Sequence, residues 1–298
     1  MVRILVTGGC GFIGSNFVRH LKRMHPDDRI TVLDKLTYAG NKKNIEGVSF
    51  AKGDICDKQI VSKAARGTDI IVNFAAESHV DRSIADAGPF LLTNYIGTSV
   101  LLDCAGDALF VQVSTDEVYG SIEQGSSDEN SRLNPSSPYS ASKAAADLLI
   151  GSFIRTHNAR AIIVRCSNNY GPFQHTEKLI PLAITNALQG KRIPLYGDGR
   201  NVRDWIYVED CCSAIDLVIH KGKAGETYNI GAGNERENIA VVRQILKLLH
   251  KDNLIEFAAE RKGHDRRYSM TCNKIRSLGW APKMPFDEGL ARTASWYR

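Results

Sequence analysis

Three features are scarce in this 298-residue sequence, and each absence excludes a class of protein. No block of like charge occurs, since 38 Lys and Arg are scattered among 33 Asp and Glu and the net charge is only +5. A nucleic-acid-binding groove is therefore not expected. No apolar stretch approaches the roughly 18 residues of a membrane span. No charged leader precedes an apolar run at the N-terminus, so a secretion signal is not expected either.

Cysteine is present, but in a pattern that excludes a disulfide framework. The count is odd, no CxxC pair occurs, and most of the thiols fall within apolar segments. The seven positions are Cys10, Cys56, Cys104, Cys166, Cys211, Cys212 and Cys272. We expect them to be reduced and mostly buried, which indicates a cytoplasmic protein. No residue is assigned to a metal.

What the sequence does contain is a regular alternation of apolar runs and amphipathic segments, at 43% hydrophobic residues. Short buried strands are predicted at 3–7, 29–33, 48–52, 69–74, 109–114 and 161–166, and helices at 13–24, 58–65, 90–104 and 140–156. That order predicts an α/β fold with a doubly wound parallel sheet in residues 1–165. Gly and Pro punctuation predicts a smaller, loop-rich lobe in residues 166–298, with segments able to cross between the lobes. Its predicted elements are helices near 179–189, 208–220 and 239–250 and a strand at 227–230.

A glycine-rich turn follows the first predicted strand and opens the first predicted helix. Gly8, Gly11 and Gly14 are spaced so that backbone N–H groups and the helix dipole can meet a pyrophosphate. Asp34 ends the second strand about 20 residues later, where a carboxylate accepts hydrogen bonds from the adenosine ribose and repels a 2′-phosphate. Together they predict a Rossmann-type domain that binds NAD rather than NADP. Taken singly, the glycines also suit a plain tight turn, and Asp34 suits a cap.

Hydroxyl and carboxylate side chains cluster at the end of the fifth predicted strand. Thr115, Asp116 and Glu117 fall at the sheet edge where open α/β folds bind ligands. Two neighbouring carboxylates can serve as acid and base on one small substrate if their environments separate their pKa values. An exposed acidic turn is the alternative for such a pair in isolation.

Tyr139 and Lys143 are four residues apart and therefore share one face of a helix. A phenol is a poor base at neutral pH, and we expect the nearby ammonium and a nicotinamide's positive charge to lower the pKa of Tyr139. Lys143 also suits the nicotinamide ribose. This spacing is common by chance. A hydride acceptor, a tyrosine base and a carboxylate pair together nevertheless indicate a dehydration that proceeds through oxidation.

With these residues together, the sequence resembles the extended short-chain dehydrogenase/reductase superfamily and, within it, the dTDP-glucose 4,6-dehydratase family. The resemblance extends from the glycine turn to near residue 283. It is carried by DKLTYAGN at 34–41, AAESHVDRS at 75–83, TDE at 115–117, YSASK at 139–143, EKLIP at 177–181, RDW at 203–205 and GHDRRY at 263–268. It implies tightly bound NAD, the nucleotide-sugar substrate dTDP-glucose, and a homodimer that pairs the helices following Phe90 and Tyr139.

The resemblance also implies a role for each site residue. Tyr139 takes the proton of the sugar's 4-hydroxyl, Glu117 removes the proton on carbon 5, and Asp116 protonates the departing 6-hydroxyl. Thr115 binds the 4-oxygen, and the product is dTDP-4-dehydro-6-deoxyglucose. The implied cofactor contacts are Gly8, Gly11, Phe12, Ile13, Gly14, Asp34, Lys35, Leu36, Thr37, Asp54, Ile55, Ala75, Ala76, Ser78, Thr93, Tyr139, Lys143 and Asn169. The implied substrate contacts are His79, Thr115, Asn168, Lys178, Leu179, Pro194, Tyr196, Arg203, Asn238, Arg267 and Tyr268.

Two rival interpretations stay open from the sequence. One is another nucleotide-sugar enzyme of this superfamily, either a 4-epimerase or a 4,6-dehydratase that acts on a GDP or UDP sugar. The carboxylate pair Asp116 and Glu117 opposes the epimerase. The other rival is a non-catalytic dinucleotide sensor. That interpretation predicts that one or more of the catalytic residues are missing. The downstream pathway is open too, and rhamnose biosynthesis is one route from a 6-deoxy-4-ketosugar.

Overall fold

The computed structural model describes residues 1–298 as twelve strands and eleven helices. The strands are β1 (Arg3–Thr7), β2 (Arg29–Asp34), β3 (Ser49–Lys52), β4 (Ile70–Asn73), β5 (Leu109–Thr115), β6 (Ala161–Cys166), β7 (Asn168–Tyr170), β8 (Ile193–Tyr196), β9 (Val202–Tyr207), β10 (Thr227–Ile230), β11 (Glu235–Glu237) and β12 (Ile255–Ala258). The helices are α1 (Phe12–Met24), α2 (Lys58–Ala65), α3 (Val80–Ala85), α4 (Gly88–Phe90), α5 (Gly97–Ala105), α6 (Pro138–His157), α7 (Leu179–Leu188), α8 (Val208–Lys221), α9 (Asn238–Leu248), α10 (Asn273–Ser277) and α11 (Phe286–Trp296). None of these helices combines the length and apolarity that crossing a bilayer requires.

Seven strands form one sheet in the order β10-β6-β5-β4-β1-β2-β3, and every neighbouring pair is parallel. Parallel strands covered on both faces need continuous apolar runs, and every residue of β5 is buried. The chain builds outward from β1 to β3 and then returns to the other side of β1 at β4. The predicted doubly wound sheet is confirmed, and its six predicted strands lie within one residue of their observed ends.

The chain crosses between the two halves of the sequence. β10 extends the main sheet beside β6, and α8 packs against α1. α10 packs against β10, while the other C-terminal elements form a smaller lobe with a three-stranded sheet, β11-β9-β7, and a two-stranded sheet, β12-β8. This lobe has its own apolar core around Tyr170, Trp205 and Phe286. Residues 166–178 lead from β6 into this lobe. They therefore border both bodies of the molecule, the one around the main sheet and the smaller lobe.

Local sequence sets the start of the elements that carry the site. Ser137 caps α6 by accepting the Ser140 N–H, while the Ser140 hydroxyl accepts the Ser137 N–H, and Pro138 occupies the first turn. A 3-10 turn at Asp116–Tyr119 follows β5 directly and has Thr115 as its cap. The side chains that follow β5 are thereby held close to the sheet edge.

One predicted helix differs from the prediction. The helix expected at 90–104 is divided into α4, a π-helical segment at Leu91–Ile96, and α5. π-Helical turns are rare and frequently occur at functional sites. This one packs against α6.

Candidate active site

A cavity of about 300 Å³ lies at the carboxyl-terminal edge of the main sheet, where β1, β4, β5 and β6 end. Its opposite wall comes from residues 166–178. All the predicted catalytic residues and most of the predicted cofactor contacts line it. These residues and two predicted substrate contacts are Gly8, Gly11, Phe12, Ile13, Gly14, Asp34, Lys35, Thr37, Asp54, Ile55, Ala75, Ala76, Ser78, Thr93, Thr115, Asp116, Glu117, Tyr139, Lys143, Asn168, Asn169 and Lys178.

The glycine turn between β1 and α1 forms one wall of the cavity. Gly8 has a φ of +68°, and a Cβ there would lie 2.5 Å from the Ala75 nitrogen. A Cβ at Gly14 would collide with the Gly8 carbonyl oxygen. At Gly11 a Cβ would meet only the Gly8 carbonyl oxygen, at 3.4 Å, which is an ordinary contact distance. No side chain caps α1, which leaves its first N–H groups available to an anion.

Asp34 is fixed at the end of β2 by two backbone donors. The Cys10 N–H donates to Oδ2 at 2.9 Å, and the Leu36 N–H donates to Oδ1 at 2.8 Å. Because Cys10 belongs to the glycine turn, the carboxylate and the turn are held together. Lys35 pairs with Asp54 at 3.3 Å. Leu36 has a φ of +58° and, unlike its neighbours, does not line the cavity.

Asp116 and Glu117 leave β5 in the 3-10 turn and meet different surroundings. Asp116 is 3% exposed, and its Oδ1 accepts the Thr115 hydroxyl at 3.1 Å. Its Oδ2 has no partner within the protein. The Glu117 carboxylate is less buried and accepts the Tyr268 hydroxyl at 3.4 Å. Since a buried acceptor without a partner is costly, the free Asp116 oxygen suits a hydroxyl of a ligand.

Burial raises the pKa of both carboxyl groups, but unequally. Burial and the adjacent Glu117 charge hold the pKa of Asp116 well above its usual range. Burial also raises the pKa of Glu117, while the positive charges of Arg203 and Lys178 oppose that rise. This difference is compatible with Asp116 as proton donor and Glu117 as proton acceptor, and those roles stay predictions.

Tyr139 and Lys143 lie one turn apart on α6 and are both buried. The prediction that positive charge lowers the pKa of Tyr139 is wrong for the protein by itself. Burial raises that pKa, and the Glu117 and Asp116 carboxylates raise it further. The Lys143 Nζ donates to the Val113 carbonyl at 2.8 Å, and burial lowers the pKa of Lys143 to about 8.

Asn94, in the π-helical segment, holds α6 in place. Its Oδ1 accepts the Glu77 N–H at 2.9 Å, and its Nδ2 donates to the Glu77 carbonyl at 3.0 Å and to the Ser142 hydroxyl at 2.8 Å. Ser142 lies between Tyr139 and Lys143 in the sequence. Asn94 is thus a positioning residue for the helix that carries both.

Two predicted substrate contacts lie beside Glu117. The Arg203 guanidinium stacks on the Tyr268 ring at 4.1 Å from its centroid. Arg203 is 6% exposed, and its hydrogen bonds go to the backbone carbonyls of Val202 and Asp265. A buried guanidinium whose hydrogen bonds all go to neutral carbonyls suits an anionic ligand. The Lys178 Nζ likewise donates to a backbone carbonyl, that of Ser78, at 2.9 Å.

Arg203, Tyr268 and the remaining predicted substrate contacts do not line the cavity, and all of these contacts stay predictions. Arg267 forms a bidentate pair with Glu235 at 2.7 and 3.0 Å. The Tyr196 hydroxyl donates to Asp81 at 3.2 Å. The others are His79, the cap of α3; Leu179, the first residue of α7; Pro194, in β8; and Asn238, the first residue of α9.

Several cavity residues were not selected from the sequence. Ser114, Ser167 and Gln174 each line the cavity and have a buried side-chain oxygen without a partner in the protein. Ser114 is the penultimate residue of β5, and Ser167 directly follows β6. Their positions at strand ends could therefore have marked them as site residues from the sequence. Gln174, His175 and Glu177 lie in an irregular loop, and no spacing in the sequence marks them.

Comparison with known proteins extends over the whole chain. The family model described as GDP-mannose 4,6 dehydratase matches residues 5–293. A dTDP-glucose 4,6-dehydratase of Streptomyces antibioticus is 50% identical over 100% of this chain and 92% of its own length. The low-salt glycan biosynthesis protein Agl12 of Haloferax volcanii is 50% identical over 99% of this chain and 98% of its own.

A solved structure gives the same result. The crystal structure of DesIV, a dTDP-glucose 4,6-dehydratase from Streptomyces venezuelae with NAD and TYD bound, superposes with a TM-score of 0.97. It is 51% identical and covers 99% of this chain and 97% of its own. The chain belongs to the dTDP-glucose 4,6-dehydratase family, within the wider group that the GDP-mannose 4,6 dehydratase model describes.

Proposed function

We propose that this protein is a dTDP-glucose 4,6-dehydratase, a hydro-lyase that converts dTDP-glucose into dTDP-4-dehydro-6-deoxyglucose and water. The observation that carries the proposal is the carboxyl pair Asp116 and Glu117. Burial and the Glu117 charge hold the pKa of Asp116 well above its usual range, while nearby cations oppose the rise in the pKa of Glu117, and both groups line the same cavity as Tyr139. An acid and a base side by side suit elimination of water.

NAD fits the residues that line the glycine-turn end of the cavity. The tight glycine turn, in which a Cβ at Gly8 or Gly14 would collide with backbone, and the uncapped start of α1 suit a pyrophosphate, and the fixed Asp34 carboxylate suits ribose hydroxyls. Bound NAD would supply a positively charged nicotinamide ring as hydride acceptor for carbon 4 of the sugar and, once reduced, as hydride donor for carbon 6. Asp34 would repel a 2′-phosphate, which favours NAD over NADP.

Tyr139 takes the proton of the sugar's 4-hydroxyl. Because burial and the carboxylates raise its pKa, the phenol needs compensating positive charge to act as a base. Lys143 lies one turn away on the same helix face and is one source of that charge. Thr115, whose hydroxyl also orients Asp116, is placed to hold the 4-oxygen.

Elimination follows at carbons 5 and 6. A ketone at carbon 4 acidifies the hydrogen on carbon 5, and Glu117 removes it. Asp116 gives its proton to the 6-hydroxyl, which leaves as water with the electrons of the C–O bond. Glu117, whose proton exchanges with solvent, then protonates carbon 5, Tyr139 releases the 4-hydroxyl proton to solvent, and Asp116 regains one from solvent. The atoms balance to one water lost per sugar.

Buried cations recognise the substrate's diphosphate. Arg203 and Lys178 both donate to backbone carbonyls, so their charges are available to an anionic ligand. The same charges oppose the rise that burial causes in the pKa of Glu117. Binding and acid–base chemistry are therefore coupled through these two side chains.

The enzyme acts as a homodimer. Leu91, Leu92 and Ile96 on the π-helical segment are 44–52% exposed, and Leu148 on the adjacent α6 is 64% exposed. Exposed leucines on two packed helices mark an interaction surface. A two-fold axis beside these helices would bury all four side chains on both chains.

The protein functions in a reducing compartment such as the cytoplasm. All seven cysteines are free thiols, including Cys166 and Cys211, whose sulfur atoms lie 3.5 Å apart. Free thiols in such proximity are typical of proteins that are not exposed to oxidising conditions. A 6-deoxy-4-ketosugar product there could enter rhamnose biosynthesis.

The proposal is tested by mass spectrometry of the purified protein with dTDP-glucose, UDP-glucose or GDP-mannose, with no cofactor added. We expect loss of one water from dTDP-glucose alone, which requires retained NAD. In deuterated water the product should carry deuterium at carbon 5, since Glu117 exchanges its proton. No water loss from any substrate, even with NAD supplied, would overturn the proposal and favour a 4-epimerase or a dinucleotide sensor.

A further inference from the structure

A cluster of three histidines and one aspartate lies where the C-terminal ends of α1 and α8 meet. It consists of His20, His25, Asp216 and His220, and we refer to it as the histidine cluster. None of its members lines the active-site cavity. α1 and α8 come from opposite halves of the sequence and pack side by side.

Asp216 is the centre of the histidine cluster. His25 Nε2 lies 3.0 Å from both of its carboxylate oxygens, and His220 Nδ1 lies 3.2 Å from Oδ1. One ligand atom from each of these three residues lies within 4.8 Å of the other two. Zinc bonds of about 2.0–2.1 Å place tetrahedral ligand atoms about 3.3 Å apart, so two of the three separations already suit a metal ion. His220 is 44% exposed and can rotate to close the third.

His20 completes the arrangement from the buried side. Its Nε2 lies 3.0 Å from Asp216 Oδ2, and its Nδ1 is buried without a partner. An imidazole bonded to one carboxylate oxygen directs the other oxygen outward, which is how metal-ligating carboxylates are commonly oriented. His20 is thus an orienting residue, while His25, Asp216 and His220 offer the ligand atoms.

The surrounding backbone favours a cation at this place. α1 ends at Met24 with His25 as its C-cap, and α8 ends at Lys221, one residue past His220. Helix C-termini carry partial negative charge. The His25 and His220 imidazole rings stack with centroids 4.8 Å apart, so the two rings lie next to each other beside Asp216.

We propose that the histidine cluster is a binding site for a divalent transition metal of the zinc class, with His25, Asp216 and His220 as ligands. Two imidazoles and one carboxylate suit Zn²⁺, Co²⁺, Ni²⁺ or Cu²⁺, whereas Mg²⁺ and Ca²⁺ require oxygen ligands. The ion ties the end of α1, the helix that opens at the glycine turn, to α8. Its effect is on the stability of the two-helix layer, because the cluster lies outside the reaction cavity.

The His220 Nδ1–H donates to the Asp216 backbone carbonyl at 2.9 Å, so the ring must carry its proton on Nε2 instead for Nδ1 to bind a metal.

The test is isothermal titration calorimetry of the full-length, tag-free protein with ZnCl2, and separately with MgCl2. We expect one saturable Zn²⁺ site per chain and no heat with Mg²⁺. His25→Ala and His220→Ala should each weaken Zn²⁺ binding at least tenfold, while His157→Ala, an exposed histidine on α6, should leave it unchanged. In thermal melts Zn²⁺ should raise the Tm of the parent and of His157→Ala, but not of the cluster variants.

Two outcomes would overturn the proposal. One is the absence of saturable Zn²⁺ binding in the parent protein. The other is binding that persists undiminished in both cluster variants, which would place the ion elsewhere, for example at His79, His175 and Glu177. Co²⁺ supplies a second readout, because a visible absorption band in the parent that disappears in His220→Ala reports ligation directly. Melting curves without metal show whether each variant is folded.

Discussion

At the scale of single residues, Asp116 and Glu117 have different environments although they are adjacent in the chain. The 3-10 turn directs Asp116 into the protein, where it is almost fully buried, while Glu117 is less buried and the charges of Arg203 and Lys178 oppose the rise in its pKa. The opposite tasks that we propose for these identical functional groups would therefore come from packing, since the two side chains have nearly the same ordinary pKa.

Removing either carboxyl group should slow dehydration by about 10²–10⁴-fold, the usual contribution of one general acid or base. The variants are Asp116→Asn and Glu117→Gln, which keep the shape of each side chain. The measurement is the rate of water loss from dTDP-glucose, with circular dichroism to show that each variant is folded. A rate within threefold of the parent for Glu117→Gln would remove it from the mechanism.

A substrate analogue separates the two roles. Fluoride at carbon 6 leaves without needing a proton, so dTDP-6-deoxy-6-fluoroglucose should restore elimination in Asp116→Asn. It should not restore elimination in Glu117→Gln, because the carbon 5 proton still has to be removed. The reverse pattern would exchange the assignments of acid and base.

The pH dependence of kcat should be bell-shaped. Glu117 must be ionised, and because its pKa is raised, activity is lost as the pH falls through that raised value. Lys143 must be charged, and because its pKa is lowered to about 8, activity is lost as the pH rises above that value. Rates from about pH 5 to about pH 10 give both limbs. In Lys143→Arg the alkaline limb should move to higher pH, because a guanidinium stays charged; an unmoved limb would contradict its assignment to Lys143.

At the scale of elements, regular patterns were predictable and local irregularities were not. Apolar runs fix the strands, and the glycine turn and Asp34 follow from strand ends, so the main sheet could be derived from the sequence. Nothing in the residue pattern predicts the π-helical segment at Leu91–Ile96. Its backbone hydrogen bonds span one residue more than those of an α-helix. The pKa of Tyr139 was also missed, because burial and the direction of neighbouring carboxylates depend on tertiary packing.

Asn94 joins the π-helical segment to α6, and its removal should weaken that junction. Asn94→Ala leaves the backbone groups of Glu77 without partners, which should lower the free energy of unfolding by about 2 kcal/mol. Urea denaturation measures the change. The matched control is Asp103→Ala on α5, whose exposed pair with Lys58 should contribute less than about 1 kcal/mol. Equal losses in the free energy of unfolding for the two variants would show that Asn94 stabilises the fold no more than this exposed ion pair does.

At the scale of the whole molecule, the chain passes more than once between the body around the main sheet and the smaller lobe. β10 and α8 return to the first body after the chain has built β7, β8 and β9 in the second. The cavity is lined by both, with the glycine turn on one side and residues 166–178 on the other. Because the chain passes between them several times, we expect the two bodies to unfold in one transition.

The exposed apolar surface on α6 and the π-helical segment predicts how two copies associate. Leu92 and Leu148 are 52% and 64% exposed, which is unfavourable in a monomer unless a partner covers them. Light scattering during size-exclusion chromatography should give twice the chain mass of 32.9 kDa for the parent. The double variant Leu92→Asp and Leu148→Asp should give the single mass, because four carboxylates would face one another across the axis. Phe257→Asp, on β12 and 58% exposed, is the control and should stay dimeric. A monomeric parent, or a double variant of unchanged mass, would exclude this surface as the dimer interface.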